Sequence, residues 1–129
     1  MGYRWDDTFP GRQQSYVARA SLRTGGTIGC SDGAVSLYNM KNYDGAVLHT
    51  DKDRTVIGIE LVNGRSDAKV MKLVHRKGDT YISAKPWIQW SRIPMASETQ
   101  RYELQRDVES GYLIIELGKP IAKKQRGST

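Results

Sequence analysis

One cysteine, one phenylalanine, two histidines and four prolines are all that the 129 residues hold of those types. A lone thiol, Cys30, excludes an internal disulfide and leaves a thiolate metal site short of ligands, so a small buried thiol is expected. His49 and His75 stand in strand-like runs without metal-ligand spacing, and Cys30 has no nearby partner to activate it. The carboxylates Asp51, Asp53, Asp107 and Glu109 fall in hairpin turns, where Asp serves backbone hydrogen bonding. No catalytic residue, metal or cofactor is therefore expected. The glycines of "RTGGTIG" follow neither the GxGxxG order nor the Walker pattern with its lysine, and read as a hairpin turn. Long apolar runs are missing too, with nothing near the roughly 18 residues that cross a bilayer. The opening "MGYRWDDTFPGRQQ" has two aspartates, lacks a signal peptide's apolar core, and puts Asp6 where a myristoylation motif needs Ser or Thr. A cytoplasmic protein with no membrane partner is the expectation.

What the chain does have is positive charge: 20 Lys and Arg against 14 Asp and Glu, a net charge of +6. That balance favours anionic partners. The excess is uneven, for the signs cancel over residues 1–15 and again over 16–62. Residues 63–117 carry nine basic and seven acidic side chains, and 118–129 four basic and none acidic. The segment "GKPIAKKQRGST" reads as a basic flexible tail that brings Lys123, Lys124 and Arg126 to a phosphate backbone.

Alternation of apolar and polar residues dominates the rest. Tyr16, Ala18, Ala20 and Leu22 share one side of an extended run, as do Ile57, Ile59 and Leu61. Further strands are predicted over 69–75, 80–83, 100–106 and 112–117, with "TDKDR" and "RDVESG" closing two hairpins. Two short helices are predicted, over 31–41 and 84–93. Ser31 or Asp32 caps the first, with Val35, Tyr38 and Leu37 as inward candidates; Pro86 fits the first turn of the second, where Trp87, Trp90 and Ile93 share the face expected to point inward. Laid over itself at an offset of 53, the chain matches Arg19, Arg23 and Val35 with Lys72, Arg76 and Ile88. At 56, Asp51, Ile57 and Glu60 match Asp107, Leu113 and Glu116. The expected fold is therefore β-rich α+β: two pseudo-twofold-related ββαββ repeats forming one domain, with short helices on the sheet. Residues 1–15 form a head, 16–62 and 68–117 the repeats, 63–67 the linker and 118–129 the tail.

Side chains at i, i+2 and i+4 of a strand point the same way, so Arg19 and Arg23 share one face and Lys72 and Arg76 another. Arg65, Lys69, Lys77 and Lys85 add charge to the segment 63–92, which also holds Tyr81, Trp87 and Trp90. Cations interleaved with aromatics suit nucleic acid, the cations following the backbone while bases stack on rings. A polar strand face that only solvates and guards an edge would show the same cations.

The stretch "VARASLRTGGTIGCSDGAVSLYNMKNYDGAVLHTDKDRTVIGIEL" resembles the swapped-hairpin DNA-binding domains of the AbrB and MazE type, in its strand, glycine turn, short helix and following hairpin. Cut from Ala46 to Ile93, the same order of elements is similar to the Whirly single-strand-binding fold. The whole chain is similar to small bacterial and phage proteins of unassigned activity that share "GTIG", "ISAK" and "RYE…LIIEL". The first two resemblances imply a non-enzymatic nucleic-acid-binding protein acting in transcription or genome handling, with DNA ahead of RNA as partner and a homo-oligomer as a further expectation. The rival expectation is an interaction or assembly module that pairs its sheet edges with a protein.

Overall fold

A computed structural model describes residues 18–95 and 97–121. The order of elements is β1 (Arg19–Leu22), β2 (Thr27–Cys30), α1 (Asp32–Leu37), a 3-10 turn (Met40–Asn42), β3 (Gly45–Thr50), β4 (Val56–Val62), β5 (Val70–Arg76) and β6 (Asp79–Ser83). Then come α2 (Lys85–Ser91), β7 (Gln100–Glu103), β8 (Gln105–Arg106) and β9 (Leu113–Glu116). The protein is β-rich, with two short helices among the described residues. None of its described helices is long and apolar enough to cross a membrane.

The nine strands of the described residues join one antiparallel sheet in the order β7-β1-β2-β6-β5-β3-β4-β9-β8. The two ends of that order, β7 and β8, are consecutive pieces of one segment separated by Leu104. Its first part pairs with β1 and its second with β9, so the sheet nearly closes on itself. Closure removes most of the unpaired backbone that an edge strand exposes. Besides β1 to β7, two seams join strands from distant parts of the chain, β2 to β6 and β4 to β9. By either route around the sheet, two strand positions lie between the seams, which places them on opposite sides.

The alternation legible in the sequence sorts the side chains. Ala18, Ala20 and Leu22, Ile57 and Ile59, and Leu113 and Ile115 fill the interior together with Ile28, Ile82, Met40 and Leu73. Each fully buried side chain of this size contributes about 1.5–3 kcal/mol in transfer from water, and the core is what fixes which face of every strand looks outward. Turn chemistry matches. Gly26 (φ 88°) ends the four-residue β1–β2 connection and Gly78 (φ 76°) the two-residue β5–β6 turn, conformations that glycine adopts without penalty. Asp51 ties the β3–β4 turn by accepting from the Thr55 and Val56 amides at 2.7 and 3.3 Å. Asp107 does the same for the β8–β9 turn through the Ser110 amide and hydroxyl.

Both helices are found where expected but shorter. Ser31 caps α1, its Oγ accepting from the Ala34 amide at 3.2 Å, and Val35 and Tyr38 are buried. The inward assignments of Leu37 and Trp90 need correction, since they are 59% and 69% exposed. In α2 the inner positions are Ala84, Ile88 and Ser91, with Trp87 half-buried against the core and Ile93 buried just beyond the helix. Cys30 is buried as expected, and desolvation pushes its thiol up to about 12. Gly118–Ile121, read as the start of the tail, lies along β7: Pro120 bridges to Tyr102 and the Ile121 amide donates to the Arg101 carbonyl at 2.7 Å. The head and Lys123, Lys124 and Arg126 lie outside the described residues.

Candidate nucleic-acid interface

On β1 the inward Ala20 and Leu22 leave Arg19, Ser21 and Arg23 to the outer face, and on β5 the inward Leu73 leaves Lys72, Val74 and Arg76. Both pairs of cations read from the sequence therefore do face outward. The strand order then brings them onto one surface, because β2 and β6 are all that separates β1 from β5. Register aligns Arg101, Ser21, Gly29, Tyr81 and Val74 in a row across five strands. Arg19 stands opposite Glu103 on one side of that row, and Arg76 opposite Asp79.

At the centre of this face Arg23 reaches across β2. Its Nη1 and Nη2 donate to the two Asp79 oxygens at 3.1 and 2.7 Å, a bidentate pair between residues 56 apart in sequence. The guanidinium lies flat above Gly29, where a Cβ would sit 2.3 Å from Nη2. Glycine at this position is what lets Arg23 cross. The ring of Tyr81 completes the cluster, with the guanidinium carbons of Arg23 and Arg76 at 5.8 and 6.0 Å from its centre. The hydrogen bond to Arg23 holds the Asp79 carboxyl below the usual carboxylate range, and the same bond raises Arg23. Both partners are partly open to solvent, at 35% and 41% of side-chain area, so the pair contributes no more than about 1 kcal/mol to stability. Arg19 Nε is buried with no hydrogen-bond partner.

The other cations expected from the sequence scatter. Lys77 sits at the β5–β6 turn beside Arg76, and Lys85 opens α2 with its Cβ against Gly26. Arg65 and Lys69 precede β5, at its far end from Arg76; Arg65 is paired with Asp67 at 2.9 Å, which the Lys69 amide also contacts at 3.2 Å. The cationic face is thus narrower than the sequence expectation and gains Arg101, which sequence reasoning missed. That β7 is a strand was legible, whereas its placement beside β1 was not.

The β4–β9 seam carries a second cluster of the same plan. His49 and Tyr112 stack with ring centres 4.5 Å apart and planes 4° from parallel. The floor is again glycine, Gly58, whose added Cβ would touch the Tyr112 ring at 3.4 Å and the His49 Cβ at 3.5 Å. His49 Nε2 lies 3.1 Å from Glu60. His75 is tied to the Tyr43 carbonyl at 2.8 Å. Elsewhere, exposed Trp90 lies beside Arg54, whose guanidinium carbon is 5.8 Å from the indole.

Compared with known proteins, the chain matches no family model, no curated protein and no solved structure.

Proposed function

We propose that the protein binds nucleic acid without catalysing a reaction, through the outer face of β7-β1-β2-β6-β5, and that it does so in the cytoplasm in transcription or genome handling. The observation that carries this reading is the placing of Arg19, Arg23, Lys72, Arg76 and Arg101 on one outer face, Arg23 and Arg76 beside Tyr81, with Asp79 and Glu103 as the opposing charges on the same face. Strands stand about 4.8 Å apart and i to i+4 along a strand spans about 13 Å, so cations on β1 and β5 reach several phosphates of one backbone. DNA is the first ligand to test, ahead of RNA.

Two ββαββ units related by a pseudo-twofold underlie this face in the same reading. Its support is the strand order, which runs outward from the β2–β6 seam as β1 then β7 on one side and β5 then β3 on the other. The hairpins β3–β4 and β8–β9 then meet at the opposite seam. Arg19 and Arg23 become counterparts of Lys72 and Arg76.

The rival, strand addition by a protein partner, needs a long free edge. The joining of β7 and β8 through Leu104 leaves little of one among the described residues. Electrophoretic mobility shifts with duplex DNA, single-stranded DNA and RNA test the proposal. Reversing Arg19 and Arg23 to Glu is expected to lower affinity as much as reversing Lys72 and Arg76. Changing all four to Gln is expected to flatten the slope of log affinity against log salt by up to about 3.6 on duplex, at about 0.9 per phosphate. Unchanged affinity and slope in a folded quadruple variant would rule this face out.

A further inference from the structure

Trp90 is 69% exposed although its helix neighbours Ile88 and Ser91 enter the core. An indole is among the largest apolar groups a core can take up, yet α2 gives its inner position to Ser91. The surroundings of the ring are built. Arg54, from the β3–β4 turn, is held beside it by two bonds, Nε to the Ser91 carbonyl at 2.8 Å and Nη1 to the Asp51 carbonyl at 3.0 Å. Two of the five guanidinium donors are thereby used and the rest are left for a ligand.

Backbone conformation marks the same place. Among the described residues, three that are not glycine have positive φ: Asn39, Arg54 (60°) and Arg92 (57°). Asparagine visits that region routinely; arginine does so at a steric cost. Both left-handed arginines adjoin Trp90, one through the Ser91 carbonyl and one as the helix cap two residues on. Non-glycine outliers of this kind gather at functional sites.

The chemistry of a ligand follows from what surrounds the ring. A protein-docking anchor sits inside a rim of further contacts that exclude water. Among the described residues the other large exposed hydrophobics, Leu37 and Val108, belong to α1 and the β8–β9 turn. An exposed indole with a fixed guanidinium beside it, that of Arg54, suits a flat base and its phosphate. We propose that Trp90, Arg54 and Arg92 form a stacking station for single-stranded nucleic acid, the base on the indole and the adjoining phosphate on the arginines. This rests on the nucleic-acid reading above and adds the strand class, since bases in a duplex stack on one another and have no free face to offer.

The test compares Trp90→Ala and Trp90→Phe with the unaltered protein, on fluorescein-labelled oligothymidylate and on a mixed-sequence duplex. Trp90→Ala is expected to lose about tenfold in affinity for the single strand and to hold duplex affinity within about twofold, with Trp90→Phe retaining most of the single-strand binding. Oligothymidylate is expected to quench indole emission in the unaltered protein and to lose that effect in Trp90→Phe, although Trp5 and Trp87 remain. Single-strand affinity unchanged in Trp90→Ala, or equal losses on single strand and duplex, would overturn the station while leaving the cationic face standing. Absence of binding to either ligand by the unaltered protein would overturn both.

Discussion

The two seams of the sheet share a plan and differ in charge. At β2–β6 a ring, Tyr81, stands next to a glycine floor, Gly29, over which Arg23 lies to meet Asp79. At β4–β9 the floor is Gly58, the rings are His49 and Tyr112, and the charged neighbour is Glu60. A floor without a side chain is what allows a flat group to lie on a sheet, so both seams present planar chemistry to solvent. Phosphate is attracted only where the rim is cationic, and the rim of the first seam carries Arg19, Lys72, Arg76 and Arg101. Shape is therefore common to the two sides, and sign is what tells them apart.

The largest effects are expected beneath the seams. Ile82 lies under the first and Ile59 under the second, both with no exposed area, so Ile82→Ala and Ile59→Ala are each expected to cost about 2–5 kcal/mol. Denaturant unfolding followed by both fluorescence and far-UV dichroism checks this; coincident transitions in each variant would make the two sides one cooperative core, and separated transitions would split them.

Glycine replacement sharpens the contrast. Gly29→Ala drives a Cβ into the Arg23 guanidinium and breaks the bidentate pair, with an expected cost of about 1 kcal/mol or less. Gly58→Ala makes ordinary contacts at 3.4–3.5 Å and is expected to be neutral or to stabilise by up to about 1 kcal/mol, since alanine gives up less backbone freedom in a strand. Thermal melting of the two variants side by side reads the difference, and equal shifts would show that the floors are equivalent.

Acid touches the first seam through Asp79. Its carboxyl is depressed by the Arg23 hydrogen bond, so its small contribution is present above the unfolded value near 3.9 and is lost as pH falls through the lower folded value. Asp79→Asn is expected to remove that part of the acid dependence of stability, measured by urea titration between about pH 5 and pH 2. The smallest expected signal comes from Cys30 on β2. With its thiol raised to about 12 by burial, alkylation near neutral pH is expected to proceed only as fast as the β2–β6 side opens; prompt labelling of the native protein would show an exposed thiol.

Strand and helix positions were legible because a half-buried strand must alternate, and Ala18, Ala20, Leu22 and Ile57, Ile59 do. The outward direction of Arg19, Arg23, Lys72 and Arg76 followed from the same parity. Sheet order was not legible: nothing in the run 100–106 says that Arg101 will stand beside Ser21, or that Asp79 will receive Arg23. Trp90 was misplaced for a different reason. In a helix of seven residues, the three-residue step to Trp87 is compatible with either face, and the direction is set by Ala84 and Ile88, whose smaller side chains carry less weight in a pattern search than two indoles.

The segment Gln100–Arg106, which fastens β1 to β9, also sets a timetable. During synthesis β1 leaves the ribosome well before β7, so its β7-facing flank has no partner until some eighty residues later. Contacts of such sequence separation are slow to form and leave a bare strand edge open to other chains meanwhile. The nascent protein therefore passes through an unsealed stage whose length is set by translation rate, and its yield in a cell is expected to depend on how well that edge is shielded until residue 106 has emerged.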